Sequence, residues 1–214
     1  GHAATAGDDW MRPSLCEEAL RLGRILSGLA PAEAEVHGLL ALMELTASRM
    51  PARSGADGEP IILADQDRSR WDRLLIVRGL AALERARALG EPGPYALQAA
   101  IAACHARAAT AEATDWSEIA RPYGDLARVA PSAVVELNRA MAVAMDSGPA
   151  AGLAILDALA DEPAIADYPY YHAACGDLLA KLGRGAEARP AFDRAAALTR
   201  NARERRWLLS RAAD

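Results

Sequence analysis

The stretch that decides the fold is PYYHAACGDLLAKLGRGAEARPAFDRAAAL, residues 169–198. Counted from Pro169, small residues fall at Gly176, Gly183, Ala188 and Ala195, and the aromatic Phe192 stands between the last two. Small residues belong where two paired helices cross closely. An aromatic side chain at the fourth of these places packs against the next unit along the chain.

This spacing follows the tetratricopeptide (TPR) pattern, in which helix pairs recur at about 34 residues. A looser copy starts near Ala133, with Ala140 at the small position and Leu156 at the aromatic one. Another starts near Ala100 and ends with Tyr123 and Pro131 at the expected places. Repeats at this period predict antiparallel helix pairs in a curved stack. Residues 203–209, RERRWLL, read as the helix that caps it.

Composition agrees. Of 214 residues, 52% are hydrophobic, but alanine supplies almost half of these and aromatics are only 5%. Alanine is the best helix former and a poor strand former, which excludes an all-β fold. The chain carries 24 Lys and Arg against 29 Asp and Glu, a net charge of −5. A nucleic-acid binder shows a net basic domain or a basic stripe, so this segment is not expected to bind DNA directly. Cys16, Cys104 and Cys175 are too widely spaced for a disulfide framework or a zinc cluster and read as buried, reduced thiols. No apolar run is long enough to span a membrane, and a cytoplasmic protein is expected.

Upstream of the repeats, Leu15, Ala19, Leu22, Leu26 and Leu29 step at helical spacing, and Val36 to Met50 form a second stripe. Ser14 and Glu17 have the spacing of a capping box. Residues 52–63 break the helical pattern. Asp57-Gly58 before Ile61-Ile62-Leu63 predicts a short β-hairpin or an ordered loop excursion. Leu74 to Leu83 are apolar nearly all round and predict a central, buried helix. Pro122, inside an otherwise helical run, predicts a kink or local 3₁₀ turn. The expected organisation is a tag remnant and disordered start over 1–6, a helical subregion with the hairpin over 7–94, and TPR-like repeats over 95–214.

One motif resembles a known family. Asp65-Gln66-Asp67-Arg68-Ser69-Arg70-Trp71-Asp72, with Gly7-Asp8-Asp9 and residues 15–24 (LCEEALRLGR), is similar to the C-terminal extension of one group of extracytoplasmic-function (ECF) RNA polymerase sigma factors. Pro92-Gly93-Pro94-Tyr95, Asp115-Trp116, Pro131-Ser132 and Leu137-Asn138-Arg139-Ala140 continue the resemblance, whereas Arg121-Pro122-Tyr123-Gly124 departs from it. The resemblance implies a regulatory piece of a sigma factor. The domains that read promoters and bind polymerase would lie N-terminal to it and are absent from this chain. Its implied partners are those sigma domains and the RNA polymerase core.

The motif has two readings. In the structural one, Asp65 or Asp67 caps the helix that follows, Arg68 and Arg70 form ion pairs, and Trp71 fills the core. In the functional one, Asp65, Gln66, Asp67, Arg68, Arg70, Trp71 and Asp72 form a contact surface for sigma domains or polymerase. A divalent metal on the two aspartates is disfavoured, because the arginines compete for them and no third ligand is apparent. His105, among alanines, reads as a satisfied core residue. Asn138 and Arg139 are candidates for a peptide-binding groove, where amides bond backbone and arginine pairs with carboxylates. No catalytic constellation emerges, so neither an enzyme nor a cofactor is expected. The alternatives to a sigma-factor regulatory domain are a small-molecule sensor and a free-standing TPR peptide-binding adaptor.

Overall fold

A computed structural model of the chain describes residues 13–55 and 61–213. Gly7-Asp8-Asp9 and the expected turn at Asp57-Gly58 lie outside the described residues. Those described are all-helical, with ten α-helices and three 3₁₀ turns. They divide into two compact units, residues 1–115 and 116–214.

The first unit contains α1 (Pro13–Leu29), α2 (Ala34–Ala47), α3 (Arg73–Leu89) and α4 (Pro94–Arg107). Helix α2, not α3, is the central one, and it packs on α1, α3 and α4. The reason lies in its small residues. A Cβ on Gly38 would fall 2.7 Å from the Ala96 nitrogen of α4. Across the α2–α3 contact, a Cβ on Gly79 would fall 2.7 Å from Leu45 Cγ. Leu74 and Val77 of α3, expected in the core, are exposed. A helix packed on one side turns outward part of any run of consecutive apolar residues.

Polar contacts fix the same arrangement. Glu35 of α2 accepts hydrogen bonds from the backbone N–H groups of Tyr95 and Ala96 at 2.8 and 3.1 Å, capping α4 from a neighbouring helix. Arg24 of α1 pairs with the buried Glu44 of α2 at 2.8 Å. Ser14 sits inside the first turn of α1 rather than before it, so it is not the expected N-cap. The apolar stripe of α1 also differs from expectation. Leu20 and Gly23 face the core, while Leu15, Leu22, Leu26 and Leu29 are exposed.

Between α2 and α3 the chain makes 3₁₀ turns at Met50–Ala52, Leu63–Asp65 and Arg68–Arg70. Among the described residues no strand is present. Among those residues there is a bridge at Ser54 and a 2.8 Å hydrogen bond from the Ile61 N–H to the Arg53 carbonyl. The described parts of the segment are thus built of turns. Helix α4, counted with the repeats from the sequence, packs on α2 and α3.

The second unit contains α5 (Trp116–Val129), α6 (Ala133–Ser147), α7 (Pro149–Asp157), α8 (Pro169–Lys181), α9 (Gly185–Leu198) and α10 (Ala202–Ala213). Each helix packs on the next. The deciding stretch folds as the helix pair α8 and α9. A Cβ on Gly176 would lie 2.9 Å from the ring of Phe192, so only glycine allows α8 this close to α9. Gly183, expected with the small residues at a close crossing, has nothing within 4 Å of its Cβ position and instead makes the turn with φ +74°, a left-handed conformation glycine adopts freely. Phe192 is buried with Leu208 and Ala212 of α10, the next element along the chain. Ser132 caps α6 through the Val135 N–H at 3.1 Å. Helix α5 runs through Pro122 without a 3₁₀ interruption.

Cys16, Cys104 and Cys175 are half-buried rather than buried, and no disulfide joins them. Burial pushes the Cys175 thiol up to about 11, so it stays protonated at neutral pH. No helix among the described residues is long and apolar enough to cross a membrane.

Candidate functional site

The eight-residue motif forms two consecutive turns and the cap of a helix. Asp67 is the N-cap of the Arg68–Arg70 turn. Its Oδ1 accepts from the Ser69 N–H at 2.9 Å and the Ser69 hydroxyl at 2.6 Å. Those bonds hold its carboxyl below the usual carboxylate range. Asp72, not Asp65 or Asp67, caps α3, accepting from the Leu74 and Leu75 N–H groups at 2.9 and 3.1 Å. The Asp72 N–H in turn donates to the Ser48 carbonyl at 2.8 Å, tying the motif to the end of α2.

Three members point inward. Gln66 is buried; its amide donates to the Ile61 carbonyl at 3.0 Å and accepts from Arg49 Nε at 3.3 Å. Arg68 is only 6% exposed, and among the described residues its hydrogen bonds run to carbonyls and a hydroxyl rather than to the carboxylate expected. Its guanidinium donates to the carbonyls of His105 and Ala108 and to the Thr114 hydroxyl, each at 2.9 Å. The two carbonyls belong to the C-terminal end of α4, where the helix dipole favours a cation. Trp71 is 3% exposed. Two guanidinium carbons lie near its ring, Arg68 at 5.2 Å and Arg49 at 5.6 Å from the centroid, within cation–π range.

The surroundings are crowded with positive charge. Burial, with Arg53 and Arg68 nearby, pushes Arg49 down to about 10. Burial lowers Arg53 and Arg68 as well. His105 is pushed down to about 4, first by burial and then by Arg49 and Arg68, so it is neutral at physiological pH. Composition and pattern did not single out Arg49, Arg53 or Thr114. Arg49 and Thr114 join the motif through contacts 17 and 46 residues away in sequence, which local spacing does not show, and Arg53 acts on it through Arg49.

The other five members, Asp65, Asp67, Ser69, Arg70 and Asp72, are exposed, and the Arg70 charge helps to hold the Asp67 carboxyl down. Beside them runs an open cleft of 370 Å³, lined by residues 64–69 and, across from them, 109–112. Among the described residues no three His, Cys, Asp or Glu side chains converge as a metal site would need.

Asn138 and Arg139 lie in the second unit, on α6. Asn138 is exposed, while Arg139 is engaged with Glu136 one turn earlier, at 2.6 Å. Near the N-terminus of α8, a second cleft of 460 Å³ is lined by Asp167, Tyr170, Arg200, Asn201 and neighbouring residues.

Residues 1–87 match the model of a family described as being of unknown function, DUF6596. That span covers α1, α2, the motif and most of α3. An uncharacterized protein of Rhizobium meliloti (strain 1021), R00370, is 48% identical over 208 residues. The alignment takes in 97% of this chain and 49% of that protein. The chain thus spans about half the length of this curated relative.

Proposed function

We propose that the chain is the regulatory and interaction part of an ECF sigma factor, acting by docking on the sigma domains or on RNA polymerase and so setting whether the holoenzyme initiates. The observation that carries this reading is the relation to R00370: nearly the whole chain aligns with about half of a longer protein. A part of that kind acts on, or together with, the remainder. The motif resemblance names what the remainder would be.

The geometry of the motif is consistent with docking. Its internal members are hydrogen-bonded into the fold, and the exposed Asp65, Asp67 and Ser69 line an open cleft, with the exposed Arg70 next in sequence. An open cleft favours a macromolecular contact over an enclosed small-molecule site. A TPR-like curved stack for the second unit, with Asn138 at a groove, is part of the same proposal. The helix-after-helix packing of α5 to α10 and the Gly176–Phe192 contact support it.

The test is transcription in vitro by the full-length protein, with and without residues 7–214, on a promoter that the intact protein uses. Removal should change the transcript yield severalfold. Equal yields, or no transcription with either protein and core polymerase, would overturn the proposal.

A further inference from the structure

Helix α1 carries its apolar seam on the wrong side for its own fold. Leu15, Ala19, Leu22, Leu26 and Leu29 follow one another at steps of four and three residues. That spacing is a coiled-coil seam, which meets a partner helix along its length. Yet Leu15 is 57% exposed, Leu22 51%, Leu26 41% and Leu29 79%. The side of α1 turned to the core is the one with Leu20 and Gly23. Single exposed leucines are ordinary, whereas a contiguous apolar row on a helix marks a contact surface.

The seam also borders a groove. Leu15, Ala19 and Leu20 of α1 and Leu42 and Met43 of α2 line an apolar depression of 290 Å³. Two helices with a groove between them and a leucine row along one bank are what a third, amphipathic helix requires.

We infer that this surface receives an amphipathic helix from the part of the full-length protein that lies outside this chain. The R00370 relation supplies the occupant, since that protein has about as much chain again beyond the aligned half. A helix is the fitting form of it, because the four-three spacing selects a helical partner over an extended one. The inference rests on the proposed function only in treating the chain as part of a longer protein. It holds whether or not that protein is a sigma factor.

The experiment places a photo-crosslinking amino acid at Leu22 in the full-length protein and, as a control, at Val77, which is exposed on α3. Position 22 should give an intramolecular cross-link to a helix outside the 214 residues, on its apolar face. Position 77 should not reach that helix. A second measurement uses the double variant Leu22→Asp, Leu26→Asp. It should leave the melting temperature of the 214-residue chain within about 2 °C of the parent, and lower that of the full-length protein by about 5 °C or more. Cross-linking to α1 of another copy, cross-linking to residues 1–12, or no cross-link at position 22 overturns the inference. So does an unchanged melting temperature for the full-length variant. A position-22 cross-link in a protein that does not support transcription would remove the sigma-factor reading and leave this one standing.

Discussion

Arg68 and Thr114 are 46 residues apart in sequence and joined by a 2.9 Å hydrogen bond. The bond closes the first unit. The turn before α3 is fastened to the segment after α4, and two carbonyls at the end of α4 are fastened with it. An arginine flanked by aspartate and serine reads locally as a surface cation. Here it is an internal clasp.

Truncating the clasp should therefore be costly. Arg68→Ala would leave the His105 and Ala108 carbonyls and the Thr114 hydroxyl without their donor, and a space beside Trp71. We expect a loss of about 2–4 kcal/mol, since hydrogen bonds to charged groups contribute more than neutral ones and their buried partners would be stranded. Urea unfolding of the 214-residue chain measures it. A change under about 0.5 kcal/mol, the usual size for a surface site, would show that the clasp is not formed in solution.

The same neighbourhood gives a pH dependence. His105 in the fold is held down to about 4, against an ordinary value of 6.5. Between those values the unfolded chain binds the proton and the folded chain does not. Stability from this group is complete above about pH 7 and falls as pH drops through 6.5, levelling off below 4. From pH 7 to pH 5 the loss should be about 2 kcal/mol. His105→Gln should flatten that part of the profile. Equal slopes for parent and variant between pH 7 and pH 5 would show that His105 is not held neutral by the fold.

In the second unit the close crossing of α8 and α9 is the sensitive point. Gly176→Ala places a methyl 2.9 Å from two atoms of the Phe192 ring, which is 1% exposed and has little room to move. Overpacking of this kind costs about 1–3 kcal/mol. Phe192→Leu alone should also destabilise, by leaving space. Combined with Gly176→Ala it should cost less than the sum of the two, because the residues share one contact. Strict additivity in thermal melts would mean the helices are not in contact there.

The residues that could be read from sequence and those that could not differ in the range of their contacts. Gly176 and Phe192 sit within one helix pair, so their spacing alone points to the crossing and the aromatic, whereas the turn at Gly183 does not follow from that spacing. Trp71 reads from sequence either as core or as part of a contact surface, and its 3% exposure puts it in the core. Arg68 does not read as internal, because its partners follow it by 37 to 46 residues. Helix α3 was assigned to the centre on its apolar run, but α2, with Gly38 and Ala41, offers the closer approach. The stripe on α1 was recognised as a packing surface, while which side of α1 meets α2 depends on Gly23 against Met43 and Leu40.

The last expectation separates the inner and outer faces of the motif. Trp71→Ala should cost about 3–5 kcal/mol, the range for a buried large aromatic, and the first unit should unfold or nearly so. Arg70 stands two residues from Arg68 but is exposed. Arg70→Ala should leave the urea midpoint of the 214-residue chain almost unchanged. If the exposed face of the motif is a docking surface, the same substitution in the full-length protein should lower transcription severalfold, since an arginine desolvated at an interface is a frequent hot spot. Arg70→Lys should restore part of the loss if charge alone matters, and little of it if the planar guanidinium pairs with a carboxylate. Full transcription by Arg70→Ala at parental stability would leave the motif a purely structural clasp. A fall in stability equal to that of Arg68→Ala would show that Arg70 too is turned inward in solution.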